Sequence, residues 1–139
     1  MLDPLPPLGP ILARAYAGLA KGLTLVSESD YPYRAWSGAL APDAPLTRET
    51  LRPLLRIGPR YEPSLVPAAG FFERNQSPDS HEPDIAARYR LLQQVMDATL
   101  TELQAIYVRG PRVVRVRFFL LGRAADGSLA GLRSLAIET

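Results

Sequence analysis

The stretch from Val113 to Thr139 constrains this chain most. Val113-Val114-Arg115-Val116-Arg117-Phe118-Phe119-Leu120-Leu121 has the β-branched and aromatic composition of a strand. Asp126-Gly127 supplies the positive φ angles of a two-residue hairpin turn, and Leu129 to Ile137 reads as the return strand. In the first half of the outgoing strand, Arg115 and Arg117 face away from Val114 and Val116. Phe118 to Leu121, by contrast, is apolar on both faces. Such a strand end needs helices on both sides, which predicts an α+β fold: a three-layer α/β/α sandwich around a mainly antiparallel central sheet. Glu138 and Thr139 follow the last apolar residue directly, so a carboxylate, a hydroxyl and an α-carboxylate are expected together at the rim of that sheet.

A length of 139 residues with 47% hydrophobic content suits one domain with one sizeable core. Residues 1–139 are therefore read as a single domain whose first nine residues form an extended Pro-rich lead. The chain has no cysteine and a single histidine, His81. Disulfides, thiolate zinc sites and a multi-histidine metal site within one chain are thereby excluded. Met1-Leu2-Asp3-Pro4-Leu5-Pro6-Pro7 lacks the basic and continuous apolar regions of a leader, and no segment reaches the roughly 20 apolar residues that span a bilayer. A cytoplasmic protein without a membrane partner is expected. The net charge is +2, and Lys21 is the only lysine among 16 basic residues. Placement matters more than the sum. Arg109, Arg112, Arg115, Arg117 and Arg123 crowd one stretch that has no acid, whereas Glu73, Asp79, Glu82 and Asp84 are offset only by Arg74.

Toward the amino terminus, Leu12, Ala15, Tyr16, Leu19 and Leu23 recur at helical spacing, with Pro10 in the first turn and Gly22 as a stop. Ser27-Glu28-Ser29-Asp30-Tyr31-Pro32-Tyr33 is a polar, acidic loop, and Tyr33 to Gly38 alternates as a short strand in which Tyr33 and Trp36 pack the sheet. The prolines between Pro42 and Pro67 leave room only for a short helix from Thr47 to Leu55, with Thr47 as N-cap and Glu49 in the first turn. Phe71-Phe72 anchors the exit from that region, and Glu73 to Pro83 reads as an exposed loop. Ile85, Tyr89, Leu92, Met96, Thr99, Leu100 and Leu103 predict the longest helix, capped by Asp84; Ile106-Tyr107-Val108 follows as a short strand before the Gly110-Pro111 turn.

Catalytic motifs are missing. Ser27 or Ser29 with His81 and an acid would make a nominal triad, but no nucleophile elbow surrounds either serine. There is no phosphate loop, dinucleotide fingerprint or metal-ligand spacing, so an enzyme is not expected, nor a cofactor of the chain's own. Arginines alternating between 109 and 123 track phosphates in nucleic-acid-binding strands. That reading ranks second, because Phe118 and Phe119 lie in the most apolar stretch and because Arg115 and Arg117 have Glu102 and Asp97 as candidate partners.

Three stretches carry a resemblance: Ser27-Glu28-Ser29-Asp30-Tyr31-Pro32-Tyr33, Phe71-Phe72-Glu73-Arg74, and Leu121 to Leu132 together with the ending Ile137-Glu138-Thr139. In this order they resemble the nuclease A inhibitor-like family, whose cyanobacterial founding member inhibits a sugar-nonspecific DNA/RNA endonuclease. The resemblance runs from about Ile11 to Thr139. It implies a fold similar to pathogenesis-related protein 1, and a metal-dependent, sugar-nonspecific nuclease as partner rather than nucleic acid itself. It further implies that Thr139 approaches the divalent cation of that nuclease, that Glu28 engages the same centre or an arginine beside it, and that Asp30, His81 and Glu138 belong to the contact surface. Two departures stand out. The loop after Phe71-Phe72 is shorter than the family pattern, and His81 stands where the family has an interface tryptophan. A different protein partner for the same fold is the corresponding alternative.

Overall fold

A computed structural model describes residues 5–26, 30–112 and 114–138. The closing hairpin is its centre. Strand β6 (Arg115–Arg123) pairs antiparallel with β7 (Leu129–Ile137), in a register that runs from Arg115 opposite Ile137 to Arg123 opposite Leu129. β7 has the bounds expected from its sequence. β6 starts and ends later than expected, and Val113 lies outside the described residues. The turn also differs from a two-residue loop. Residues 124–128 connect the strands, Gly127 N–H donates to Ala124 O (2.9 Å) and Ala124 N–H to Ser128 O (2.8 Å). Only Gly127 takes a positive φ, 89°, because a turn closed by one left-handed residue already matches the strand twist.

Around the hairpin, β3 (Arg34–Gly38) pairs with β7, β5 (Thr101–Arg109) with β6, and β4 (Glu62–Pro67) with β5. The antiparallel sheet thus has the order β3-β7-β6-β5-β4. A small ribbon of β1 (Thr24–Leu25) and β2 (Tyr31–Pro32) stands beside β7. The helices are α1 (Leu8–Leu19), α2 (Arg48–Leu54), α3 (Ala68–Asn75) and α4 (Pro83–Thr99). The fold is α+β, with a mainly antiparallel sheet.

Parity along β6 divides the core. Val116, Phe118 and Leu120 join Tyr16 of α1, Phe71 and Phe72 of α3, and Tyr89, Leu92 and Met96 of α4. Phe119 and Leu121 turn the other way, to Leu51 of α2, Leu55 and Ile57 beyond it, and Ile106 and Val108 of β5. The stretch that is apolar on both faces is therefore buried on both faces. Tyr33 and Trp36 also pack as expected, Tyr33 against Phe71, Tyr89 and Phe118, and Trp36 edge-on to Phe119.

Several expectations are corrected. Helix α1 begins at Leu8, inside the supposed lead, because the hairpin turn caps it from a distance: Leu8 N–H donates to Asp126 Oδ2 and Gly9 N–H to Ser128 Oγ, both at 2.8 Å. The Leu8 bond, followed by those from the Ser128 hydroxyl and N–H, holds the Asp126 carboxyl below its ordinary pKa. The buried residues of α1 are Gly9, Ala13 and Tyr16, and Ala15 is exposed. The proline-rich segment contains β4, and Phe71-Phe72 sits inside α3, which takes Glu73 and Arg74 out of the expected loop. Prolines fit β4 because it is an edge strand, where a missing N–H interrupts no ladder. Helix α4 has Glu82 at its N-cap with no side-chain bond, Pro83 at its start and Asp84 in its first turn. It ends at Thr99, and Leu103 falls in β5. Glu102 at φ 55° and a register shift between Thr101 and Gln104 turn helix directly into strand. At α2 the expectation holds: Thr47 and Thr50 form a reciprocal capping box.

Candidate functional site

A groove of about 810 Å³ opens on the α3 side of the sheet. Its walls bring together distant parts of the chain. Leu25 and Val26 reach it from the end of β1 and just beyond it, Ser64 and Val66 from β4, Tyr107 and Arg109 from β5, Arg74 and Asn75 from α3, and Ile137 and Glu138 from the end of β7 and just beyond it. Parity explains the set. Ser64 lies opposite Tyr107, and Tyr107 opposite Phe118, so all three share the face that α3 covers.

Glu138 is fixed on that wall. Arg109 grips it with a fork, Nε to Oε2 at 3.1 Å and an Nη to Oε1 at 3.0 Å, while Glu138 N–H donates to Val114 O at 2.8 Å. The Arg109 guanidinium also lies 5.0 Å over the Tyr107 ring, whose hydroxyl accepts from Arg74 at 3.1 Å. The hydrogen bond to Glu138 leads in raising the Arg109 pKa. Electrostatically, Glu138 is neutralised within its own chain and Arg74 adds a positive charge, so the described part of the groove is not acidic.

The expected contact residues fare differently. Glu28, with Ser27 and Ser29, and Thr139 lie outside the described residues. The residues leading to them, Val26 and Glu138, line the same groove, and Val26 is 57% exposed. Asp30 is exposed at the start of β2, close enough to add a small upward push to the Tyr89 pKa. His81 turns inward. Its Nε2 meets Asn75 Oδ1 at 2.9 Å, its ring stacks on Tyr89 at 5.1 Å, and Asn75, which is buried, donates to Phe71 O. His81 thereby pins the turn between α3 and α4 to both helices, and Ser80 of that turn lines the groove.

Below His81 the hydroxyls of Tyr33 and Tyr89 meet at 2.9 Å, and Tyr89 donates to Thr24 O. Burial, the leading cause for each, pushes the Tyr89 phenol up to about 12 and holds Tyr33 well above the ordinary value. These phenols are neutral anchors that tie β1 and β3 to α4.

The pairing expected for the strand arginines is also corrected. Glu102 binds Arg123, not Arg115 or Arg117, at 3.1 Å. Arg123 reaches further, to the carbonyls of Ala44 (2.5 Å) and Gly127 (3.2 Å). Arg117 instead donates to Leu55 O (2.8 Å) at the end of α2. Sequence reasoning missed the roles of Arg74, Tyr107 and Arg109 in the groove. The only signal was that Arg109 immediately follows Ile106-Tyr107-Val108. Among the described residues, no three His, Asp or Glu side chains gather to hold a metal, and no helix is long and apolar enough to cross a membrane.

The model of the nuclease A inhibitor-like protein family matches residues 12–139, and the chain belongs to that family. No curated protein matches it.

Proposed function

We propose that the chain inhibits a metal-dependent, sugar-nonspecific nuclease by occupying its catalytic centre from the rim of the groove. Such an enzyme holds a phosphodiester between a divalent cation and basic side chains, so a protein presenting carboxylates there competes with substrate for the same charges. Thr139 approaches the cation, directly or through water, and Glu28 engages the same centre or an arginine beside it. Both assignments rest on the family resemblance. The observation that carries the proposal is that Val26 and Glu138, the described residues leading to Glu28 and Thr139, border one groove.

On this reading Glu138 is a positioning residue rather than a contact with the cation, because Arg109 already takes up its carboxylate. The fork and the Val114 bond order the chain one residue before Thr139, which lowers the entropy lost on binding. Asp30 and the inward-facing His81 contribute through the shape and charge of the surrounding surface. The two sets of helices are read as the outer layers of an α/β/α sandwich of the pathogenesis-related protein 1 kind, and the protein as cytoplasmic, without a cofactor of its own.

The test is titration of a sugar-nonspecific nuclease with purified protein, in parallel with a form lacking Glu138-Thr139 and a form extended at its C-terminus. Stoichiometric inhibition that falls at least about 100-fold in both altered forms, roughly the loss of one or two charge-assisted contacts, is the expected result. Full potency with the terminus blocked would overturn the mechanism, and no inhibition by the unaltered protein would point to a different protein partner.

A further inference from the structure

The other face of the sheet holds a second set of charges. By register, Arg34 lies opposite Arg133, Arg133 opposite Phe119, and Arg117 opposite Leu135. Arg115 shares their side, because it is two residues from Arg117 on β6. Helix α2 covers Phe119 and Leu121 but stops short of these arginines. They line two adjoining cavities of about 210 and 390 Å³: Arg34, Arg117 and Arg133 the first, Arg56, Arg115 and Arg117 the second. No acid among the described residues lines either cavity. Among the described residues, the ion pairs engage Arg52, Arg109 and Arg123 and none of these five. Burial and the nearby Arg133 lower the Arg117 pKa. Arg56 stands at φ 53°, just past the end of α2, in the left-handed region that favours glycine.

We propose that this face binds single-stranded nucleic acid, with Arg34, Arg56, Arg115, Arg117 and Arg133 holding successive phosphates. Like charges gathered without acids are repulsive in the free protein, and a polyanion relieves that repulsion. Spacing favours a strand of nucleic acid over isolated phosphates. Alternate residues on a β-strand lie about 7 Å apart and paired residues across strands about 5 Å. Tyr31 at one end and Tyr61 at the other, both half-buried, offer rings for base stacking. The arginines lie between the end of α2 and Pro32 of the β1–β2 ribbon, and half-buried rings beside such a basic surface suit the open bases of a single strand, which a duplex keeps stacked. The site goes beyond inhibition. It lies across the sheet from the Glu138 groove and stands whether or not a nuclease binds there.

Fluorescence anisotropy of the full chain with a short, labelled, mixed-sequence single-stranded oligonucleotide tests it. Three to five phosphate contacts predict binding that weakens about 20- to 100-fold between 50 and 200 mM salt. Replacing Arg34, Arg115 and Arg133 together by Gln lowers affinity at least about tenfold, and Arg→Lys at the same positions largely restores it. These three side chains are exposed, and Arg117, which holds the end of α2, is left intact. Arg112→Gln, in the turn before β6, changes nothing. Should the triple variant fail to fold, Arg115→Gln and Arg133→Gln singly carry the test, each lowering affinity about two- to threefold. No binding at 50 mM salt, unchanged binding by the Gln variants, or tighter binding of the matching duplex would overturn the proposal. So would equally effective competition by inorganic polyphosphate, which would make the face a general polyanion site.

Discussion

The two faces of the central sheet are built on unequal cover. On one, α1, α3 and α4 enclose a continuous aromatic core in which Tyr16, Phe72, Tyr89 and Phe118 are fully buried. On the other, the two-turn helix α2 covers a smaller cluster, and beyond its end the sheet carries arginines that pair with no acid among the described residues. Charge follows the same division. In the groove on the first face Arg109 is forked to Glu138; on the second, Arg34 lies opposite Arg133, and Arg115 is on the same side of the sheet. One face is thus resolved within the chain and the other only in part. This difference is what separates a stability role from a binding role for otherwise similar residues.

Adjacent phenylalanines on β6 give the sharpest comparison. Phe118 is 0% exposed within the larger core, and Phe119 is 3% exposed between Trp36 and the Arg117 guanidinium. Truncating a buried phenylalanine costs about 3–5 kcal/mol, more where surroundings cannot collapse. Phe118→Ala is expected near the top of that range and Phe119→Ala near the bottom, as read from urea denaturation midpoints. Equal losses would show that α2 packs its face as tightly as three helices pack theirs.

Alkali separates the faces next. The Tyr33 and Tyr89 phenols titrate above the ordinary tyrosine value in the fold, because burial disfavours the phenolate. Their contribution is complete below pH ~10, where tyrosines of the unfolded chain stay protonated. It is lost as pH rises from there through the folded value of about 12 for Tyr89, since the unfolded state then releases protons that the folded state retains. Unfolding free energy is expected to fall across that window by roughly 3 kcal/mol on account of Tyr89, and Tyr89→Phe flattens the fall. An unchanged alkaline slope in Tyr89→Phe would place the titrating groups elsewhere.

How much of this was legible beforehand depended on whether the decisive interaction was local. The hairpin was legible because alternation, an apolar run and a glycine turn act within a few residues, and β7 occupies Leu129–Ile137 as its composition implies. Strand β4 was not, because prolines argue locally against a strand and only its place at the sheet edge removes the objection. The early start of α1 depends on Asp126 and Ser128, more than a hundred residues away. At the groove, Glu138 was legible as an acid at the rim, but its neutralisation by Arg109 depends on how the ends of β5 and β7 come together across β6. Five arginines without a nearby acid were visible from 109 to 123, yet the structure redistributes them. Arg109 and Arg123 enter ion pairs, while Arg115 and Arg117 join Arg34, Arg56 and Arg133 from other elements.

The smallest expected effect is also the one that distinguishes positioning from stabilisation. Both partners of the Arg109–Glu138 fork are nearly half exposed, at 47% and 48%, so solvent and salt screen most of their attraction. A double-mutant cycle with Arg109→Ala and Glu138→Ala is expected to give a coupling of about 0.5–1 kcal/mol in unfolding free energy, shrinking toward zero at 1 M salt. If the fork serves chiefly to order the chain before Thr139, each single substitution weakens nuclease inhibition by more than this coupling predicts, and the double variant is no worse than either one. Losses in inhibition that merely add would mean that Arg109 and Glu138 act on the partner separately. The fork would then be an ordinary surface ion pair of the first face.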